Sequence, residues 1–238
     1  MKILSLEASA VSASAAVTEN GKVLSSAYLN VGLTHSQTLL PLADEVLKNS
    51  KTELKDISAL AVSSGPGSFT GLRIAAALLK GLAEPLNIPC IGVSTLEAMA
   101  AVHTDLDAVL CCVMDARCKQ VYNALFRAES GKLTRLCADR AVKCEDVIEE
   151  ITKLSKKEKV LICGDGADMF YELIKKTDGQ IIKAAEVNKY QSAVGVGAVA
   201  EKMLNSNKTV LAENLIPEYL RQSQAERELK TKKSEERQ

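Results

Sequence analysis

Short apolar runs alternate, through the first hundred residues, with longer segments whose apolar positions recur every three or four residues. Residues 3–8 read as a buried strand, and residues 11–18 and 22–29 as two more strands around Asn20-Gly21, a strong two-residue hairpin signal. Residues 34–49 read as a helix whose opening Thr34-His35-Ser36-Gln37 fits a capping box. Pro41 is expected to kink its first turns or restart it. A short buried strand at 59–63, a long helix at 68–86, a strand at 88–93 and a helix at 95–102 behind Ser94 follow.

The second hundred residues repeat this order. Residues 107–115, 118–127 and 133–139 read as strands, the last two joined by Glu129-Ser130-Gly131. A helix at 146–154 gathers Val147, Ile148, Ile151 and Leu154 on one side. A strand at 159–163, a helix at 168–176, a short strand at 180–183 and a helix at 192–205 complete the series. A hairpin-linked meander followed by helix-separated strands predicts an α/β fold, a mixed sheet with helices on both faces. Its double occurrence predicts a duplicated fold with halves at 1–104 and 105–206, a cleft between them, and 207–238 packing back on the first half. The repeat is one of element order, without visible identity between the halves. From Gln222 onward, five basic residues (Arg227, Lys230, Lys232, Lys233, Arg237) mix with Glu226, Glu228, Glu235 and Glu236, as in a solvated or frayed terminus.

Composition narrows the function classes. An apolar fraction of 47% rules out a disordered chain, and 30 Lys and Arg balance 30 Asp and Glu, which leaves no overall attraction to nucleic acid or anionic lipid. The uncharged apolar runs fall short of the roughly 18 residues a membrane span needs, and Glu7 interrupts what would be the apolar stretch of a signal peptide. No membrane association and a cytoplasmic location are expected. The seven cysteines are odd in number, form no CxxC pair and sit mostly in apolar stretches, as reduced core residues do. With only His35 and His103 to help them, no metal site is expected.

Chemistry concentrates in Ser64-Gly65-Pro66-Gly67-Ser68-Phe69-Thr70-Gly71-Leu72-Arg73, between a strand and a helix. Gly65, Gly67, the hydroxyl of Ser68 and Arg73 one turn in could form an anion nest, or a tight turn bringing the helix close to its sheet. The run lacks the Gly-Lys-Ser/Thr of a nucleotide P-loop. The helix behind it is apolar or small nearly all round, its charge confined to Arg73, Lys80 and Glu84. A helix covering one sheet face needs one apolar side. The surplus, with that on the preceding helix, points to a partner-binding surface; the alternative is burial by helices of the same chain. Interface residues are expected at Leu39, Leu42, Val46, Leu72, Ala75, Ala76, Leu79 and Leu82, and charge at Leu79 or Leu82 is expected to break association without unfolding the chain.

These segments carry a resemblance. Residues 2–9 (Lys2-Ile3-Leu4-Ser5-Leu6-Glu7-Ala8-Ser9), the Gly65-to-Arg73 run, Gly92-Val93-Ser94-Thr95-Leu96, Asp115-Ala116-Arg117 with Val121-Tyr122, Gly164-Asp165-Gly166, and Pro217-Glu218-Tyr219-Leu220-Arg221 together resemble the TsaB (YeaZ) family, in order along essentially the whole chain. The resemblance implies two RNase H-like halves of the actin-like ATPase (ASKHA) superfamily. It implies membership of the machinery that adds threonylcarbamoyl to N6 of adenosine 37 in tRNAs reading ANN codons. In that machinery the transferase is a TsaD-like paralogue and a TsaE-like ATPase joins them. TsaB-like subunits are homodimerising scaffolds for TsaD that contact it through their first two helices, meet tRNA through the complex, and leave ATP and metal to their partners.

The same resemblance allows the ATP-site pieces to be compared. Where ATP-handling relatives carry Asp and a Gly/Thr-rich loop, this chain has Glu7-Ala8-Ser9-Ala10-Val11-Ser12-Ala13-Ser14, without glycine; Glu7 and Ser9 could still meet a hydrated cation or an anion. In the second half Asp115 occupies the corresponding turn, while Gly164 and Gly166 either approach an adenosine or turn the chain. TsaD-like relatives bind metal through His-xxx-His; here His35 is followed by Leu39, which disfavours both a metal site and a metallopeptidase. The leading reading is a noncatalytic scaffold. The alternatives are an autonomous ATP-using phosphotransferase or hydrolase, for which only Asp115 qualifies, and a lone tRNA binder, for which only Lys153, Lys156, Lys157 and Lys159 cluster.

Overall fold

The computed structural model describes residues 1–174 and 179–221. The first sheet is built from β1 (Lys2–Glu7), β2 (Ala13–Glu19), β3 (Lys22–Leu29), β4 (Ala59–Gly65) and β5 (Cys90–Ser94), in the order β3-β2-β1-β4-β5. β1, β2 and β3 run antiparallel, and β4 and β5 extend the sheet parallel to β1. The second sheet repeats this plan with β6 (Ala108–Asp115), β7 (Gln120–Glu129), β8 (Lys132–Arg135), β10 (Val160–Cys163) and β11 (Ile181–Lys183), in the order β11-β10-β6-β7-β8. Each sheet thus has its first strand in the middle, a meander on one side and parallel crossovers on the other. This is the duplicated RNase H-like fold.

Successive side chains of a strand face opposite ways, and that alternation divides the core of the first half. Leu4, Leu6, Leu60 and Val62 face α1 (His35–Asn49) and α2 (Phe69–Ala83). Ile3, Ala59, Ala61, Ile91 and Val93 face the opposite side, against α3 (Thr95–Ala101) and α6 (Ala193–Asn205). Sequence order puts α6 in the second half, yet it packs on the first sheet, where Gly195 lets its backbone approach Ala98 and Gly197 lets it approach the Ser5 and Thr18 side chains. α3 is a wedge: Ala98 meets the first sheet while Leu96, Met99 and Ala100 join the core under the second. The outer face of the second sheet is covered by α4 (Cys144–Ser155) and α5 (Ala167–Ile174).

The turns follow from local chemistry. Asn20 and Gly21 have φ of 50° and 78°, and Ser130 and Gly131 repeat the pattern at 50° and 76°, as two-residue hairpins require. Two local expectations fail. The strand expected at 133–139 ends at Arg135, as β8, and a further strand, β9 (Arg140–Lys143), follows it; β8 pairs with the C-terminal end of β7 and β9 with its N-terminal end, and four residues without alternation give β9 no strand signal. The Thr34 hydroxyl donates to the Gln37 side chain at 2.8 Å and caps no backbone amide, so no capping box forms. Pro41 lies inside an unbroken α1, where it and Gln37, whose carbonyl it leaves without a helical donor, are both exposed.

Beyond α6, Val210 bridges to Cys90 and Leu215 is buried in the α1–α2 core, so the chain returns to the first half as far as Arg221. Positions 175 and 176 of the expected helix, and the charged terminus from 222 to 238, lie outside the described residues. Among the described residues no helix is long and apolar enough to cross a membrane.

Candidate functional site

A cleft of about 540 Å³ opens between the two halves. Its first wall consists of Ser9 and its neighbours after β1 together with the loop entering α2; its second consists of the end of β6 and Asp165, with Arg221 at the rim.

The first wall is closed by its own contacts. Glu7 is fully buried; its carboxylate accepts a hydrogen bond from the Ser9 amide at 2.5 Å and another from the Ser63 hydroxyl. Burial pushes this carboxyl up, and those two donors pull the other way without cancelling it. Placed so, Glu7 cannot present itself to a cation in the cleft. The Ser68 amide donates to the Ser9 carbonyl at 2.7 Å, and the Ser68 hydroxyl caps α2 by accepting from the Gly71 amide at 3.3 Å. A Cβ on Gly67 would lie 2.5 Å from the Ser9 carbonyl oxygen, so glycine is required there by space. Gly65, at φ 131°, lies under the backbone of Glu218, whose amide donates to the Ser64 carbonyl at 2.7 Å. Arg73 turns away from the loop: its Nε donates to the Tyr219 hydroxyl at 2.9 Å, beside the Phe69–Tyr219 stack with centroids 4.2 Å apart. The Ser64-to-Arg73 run builds the tight turn, with the Ser68 amide and hydroxyl both used inside the chain. His35 is committed as well, its Nε2 donating to the Ala10 carbonyl at 2.8 Å, and among the described residues no cluster of three His, Cys, Asp or Glu could hold a metal.

The second wall is more open. Asp115 is exposed at the end of β6 and accepts from the Arg117 amide at 2.7 Å. Arg117, Cys118 and Lys119 follow at φ of 61°, 54° and 58°, three successive non-glycine residues in the left-handed region. Burial pushes the Asp165 carboxyl up, opposed first by the hydrogen bond that Gln191 donates at 2.8 Å. Gly164 and Gly166 let this turn pass close to the backbone of residues 113–115. The Arg221 guanidinium donates to the Ala116 carbonyl, tying the returning strap to the second half. Of the expected anion-binding residues, Ser9, Gly67, Ser68 and Asp115 line the cleft, whereas Glu7, Gly65, Arg73, Gly164 and Gly166 do not. Asp165 and Arg221 also line the cleft, each from inside a motif, Gly164-Asp165-Gly166 and Pro217-Glu218-Tyr219-Leu220-Arg221, whose local pattern alone does not mark it as a cleft residue.

The expected interface residues require a larger correction. Leu39, Leu42, Val46, Leu72, Ala75, Ala76 and Leu79 are all buried inside the single chain, and of the eight only Leu82 is partly exposed. Residues 72, 75, 76, 79 and 83 form the inner stripe of α2. Ile74, Ala77, Leu78, Gly81 and Leu82 form a second stripe at the same helical spacing, partly or wholly exposed. α1 has no such stripe: Leu40, at 51%, stands beside exposed Ser36, Gln37, Asp44, Glu45 and Lys48.

A family model described as TsaD, tRNA N6-adenosine threonylcarbamoyltransferase, matches residues 30–229. The chain is 32% identical to the tRNA threonylcarbamoyladenosine biosynthesis protein TsaB of Escherichia coli K12, over 96% of this chain and 98% of that protein. It is 30% identical to the protein of the same name from Bacillus subtilis 168, over 95% and 96% of the two. YeaZ from Pseudomonas aeruginosa has the same fold, with a TM-score of 0.75 at 23% identity over 92% of this chain and 99% of that one. Component A of (R)-2-hydroxyglutaryl-CoA dehydratase from Acidaminococcus fermentans shares the fold at a TM-score of 0.51 and 13% identity, over 86% of this chain and 99% of that one.

Proposed function

Since the chain belongs to the TsaB (YeaZ) family, and so to tRNA threonylcarbamoyladenosine biosynthesis, we propose that within the complex acting on adenosine 37 it is a noncatalytic platform, dimerising and seating a TsaD-like transferase through the outer stripe of α2. The TsaE-like ATPase then meets a surface composed of both subunits, and tRNA is reached through the assembly. The chain itself requires no cofactor; ATP and metal belong to the partners.

The observation carrying this reading is Gly81. A Cβ built there meets nothing within 4 Å, so no contact inside the chain accounts for a glycine in the last turn of α2. Glycine is a poorer helix former than alanine, by up to about 1 kcal/mol. A partner helix lying on the Ile74–Leu78–Leu82 stripe would use the missing side chain, because backbone-close packing needs a small residue at the crossing. The closed first wall of the cleft supports the noncatalytic part, since Glu7, Ser68 and His35 are each held by internal bonds.

Such a subunit acts by binding the competent conformation of its partner more tightly than the others. Co-expression with a tagged TsaD-like subunit, followed by a modification assay with and without this chain, tests it: capture and modification should both depend on the α2 stripe. ATP turnover by the purified chain alone, lost in Asp115→Ala, would favour the autonomous enzyme instead.

A further inference from the structure

The second sheet contains a pair of thiols that the scaffold reading leaves without a role. Cys112 on β6 and Cys163 on β10 are direct partners in a parallel ladder, and both point into the same core layer, among Leu96, Met99 and Phe126. Both are fully buried, and their sulfurs are 3.5 Å apart. Adjacent strands lie about 4.8 Å apart, within the Cα separation a disulfide spans, and closing the sulfurs to about 2.05 Å asks roughly 0.7 Å of each side chain. His103, 2% exposed in the turn after α3, lies against Cys163. The neighbouring Cys111, equally buried, faces the opposite core layer beside Asn123 and pairs with Ile162 instead.

The electrostatics agree with this geometry. The Cys163 thiol is pulled down to about 6, chiefly by the hydrogen bond from Cys112 and then by His103, against the effect of burial. Burial pushes Cys112 well up. One sulfur is thus prepared as the thiolate that reacts, and the other holds the proton between them.

We propose that Cys112 and Cys163 are a latent cross-strand dithiol that hydrogen peroxide converts to an intrachain disulfide. The Cys163 thiolate attacks one peroxide oxygen and expels hydroxide, leaving a sulfenic acid. Cys112 gives its proton to that hydroxide, attacks the Cys163 sulfur and displaces the second hydroxide, which takes a proton from His103. The two sulfurs together lose two electrons, the peroxide gains them, and two waters leave. Small local openings of the sheet are enough to admit an oxidant of this size. The cross-link would lie three residues before Asp115 and two before Asp165, so oxidation would fix the spacing of both strands that carry carboxylates to the cleft.

The test exposes the full-length chain to hydrogen peroxide, quenches it, unfolds it in an alkylating reagent and maps the peptides by mass spectrometry. The expected result is loss of two of the seven alkylatable thiols, with a Cys112–Cys163 linked peptide two hydrogens lighter than its reduced parts. Cys163→Ser should abolish that linkage, and Cys111→Ser should keep it. The proposal is overturned if Cys112 and Cys163 remain alkylatable while exposed Cys118 is oxidised, or if the lost thiols pair elsewhere. The wild-type peptide map decides this even where a variant fails to fold.

Discussion

The turn after β1 and the outer stripe of α2 belong to the same half and lie within one helix of each other, yet they divide exposure in opposite ways. In the turn, Glu7, Ser9 and Ser12 are polar groups drawn inside, and the loop into α2 is bonded down on top of them. On α2, Ile74, Leu78 and Leu82 are apolar groups left partly exposed around an open glycine. Burying a carboxyl and leaving an aliphatic row partly exposed each cost stability in an isolated chain. The difference teaches where this half puts its recognition: away from the cleft, on the helix face.

The sharpest way to break this comparison uses neighbours on one helix. Leu79→Glu, at a site with no exposure, should destabilise the chain by more than about 4 kcal/mol and leave little folded protein in a urea titration. Leu78→Glu, one residue earlier and only partly buried against that core, should cost far less, about 1 kcal/mol, and still fold while losing co-purification with the TsaD-like subunit. Retention of the partner by folded Leu78→Glu would remove the α2 stripe from the interface. Next comes the turn itself. Gly67→Val should cost about 1–3 kcal/mol through overpacking against the Ser9 backbone, read as a fall in Tm. An unchanged Tm with lost modification activity would instead make that loop a ligand site.

How much of this was legible in the sequence depends on the length scale. The Asn20-Gly21 hairpin, the Ser68 and Ser94 caps and the repeated element order rest on local chemistry, and the structure contains all of them. The apolar surplus of α2 was legible as well. Its direction was not, because a helix apolar on two stripes gives the same composition whichever stripe meets the sheet. Leu79 and Leu78 differ by 100° of rotation, and only the placement of β1 and β4 decides between them. On α1 the count misled, since Leu39, Leu42 and Val46 are all needed for its single seam. Asp165 and Arg221 reach the cleft through contacts of long sequence separation, with Gln191 and Ala116, which no local pattern carries.

A smaller effect separates fold from function on the stripe. Gly81→Ala should stabilise the free chain by about 0.5–1 kcal/mol, because the helix gains propensity and the new methyl meets nothing. The same methyl should weaken partner capture. A variant that is more stable and binds unchanged would mean that no helix crosses at Gly81.

The smallest expected effect belongs to Glu7 and is one of slope. Its carboxyl is held above its ordinary value of 4.5 in the folded chain, chiefly by burial, with Ser63, Ser9 and His35 opposing. The unfolded chain therefore releases this proton at lower pH than the folded one. Between 4.5 and the folded value the folded state binds more protons, so this group's contribution is fully present below 4.5 and declines as pH rises through that window. Glu7→Gln keeps an acceptor for the Ser9 amide, and the Ser63 hydroxyl can rotate to accept from the new amide, but nothing titrates. Denaturant midpoints measured from pH 4 upward should then show the parent losing ground to the variant as pH rises and running parallel to it beyond the window. Parallel curves throughout would place Glu7 in an ordinary solvated setting, with the first wall of the cleft open after all, and a parent losing ground toward acid would mean that its hydrogen bonds outweigh its burial.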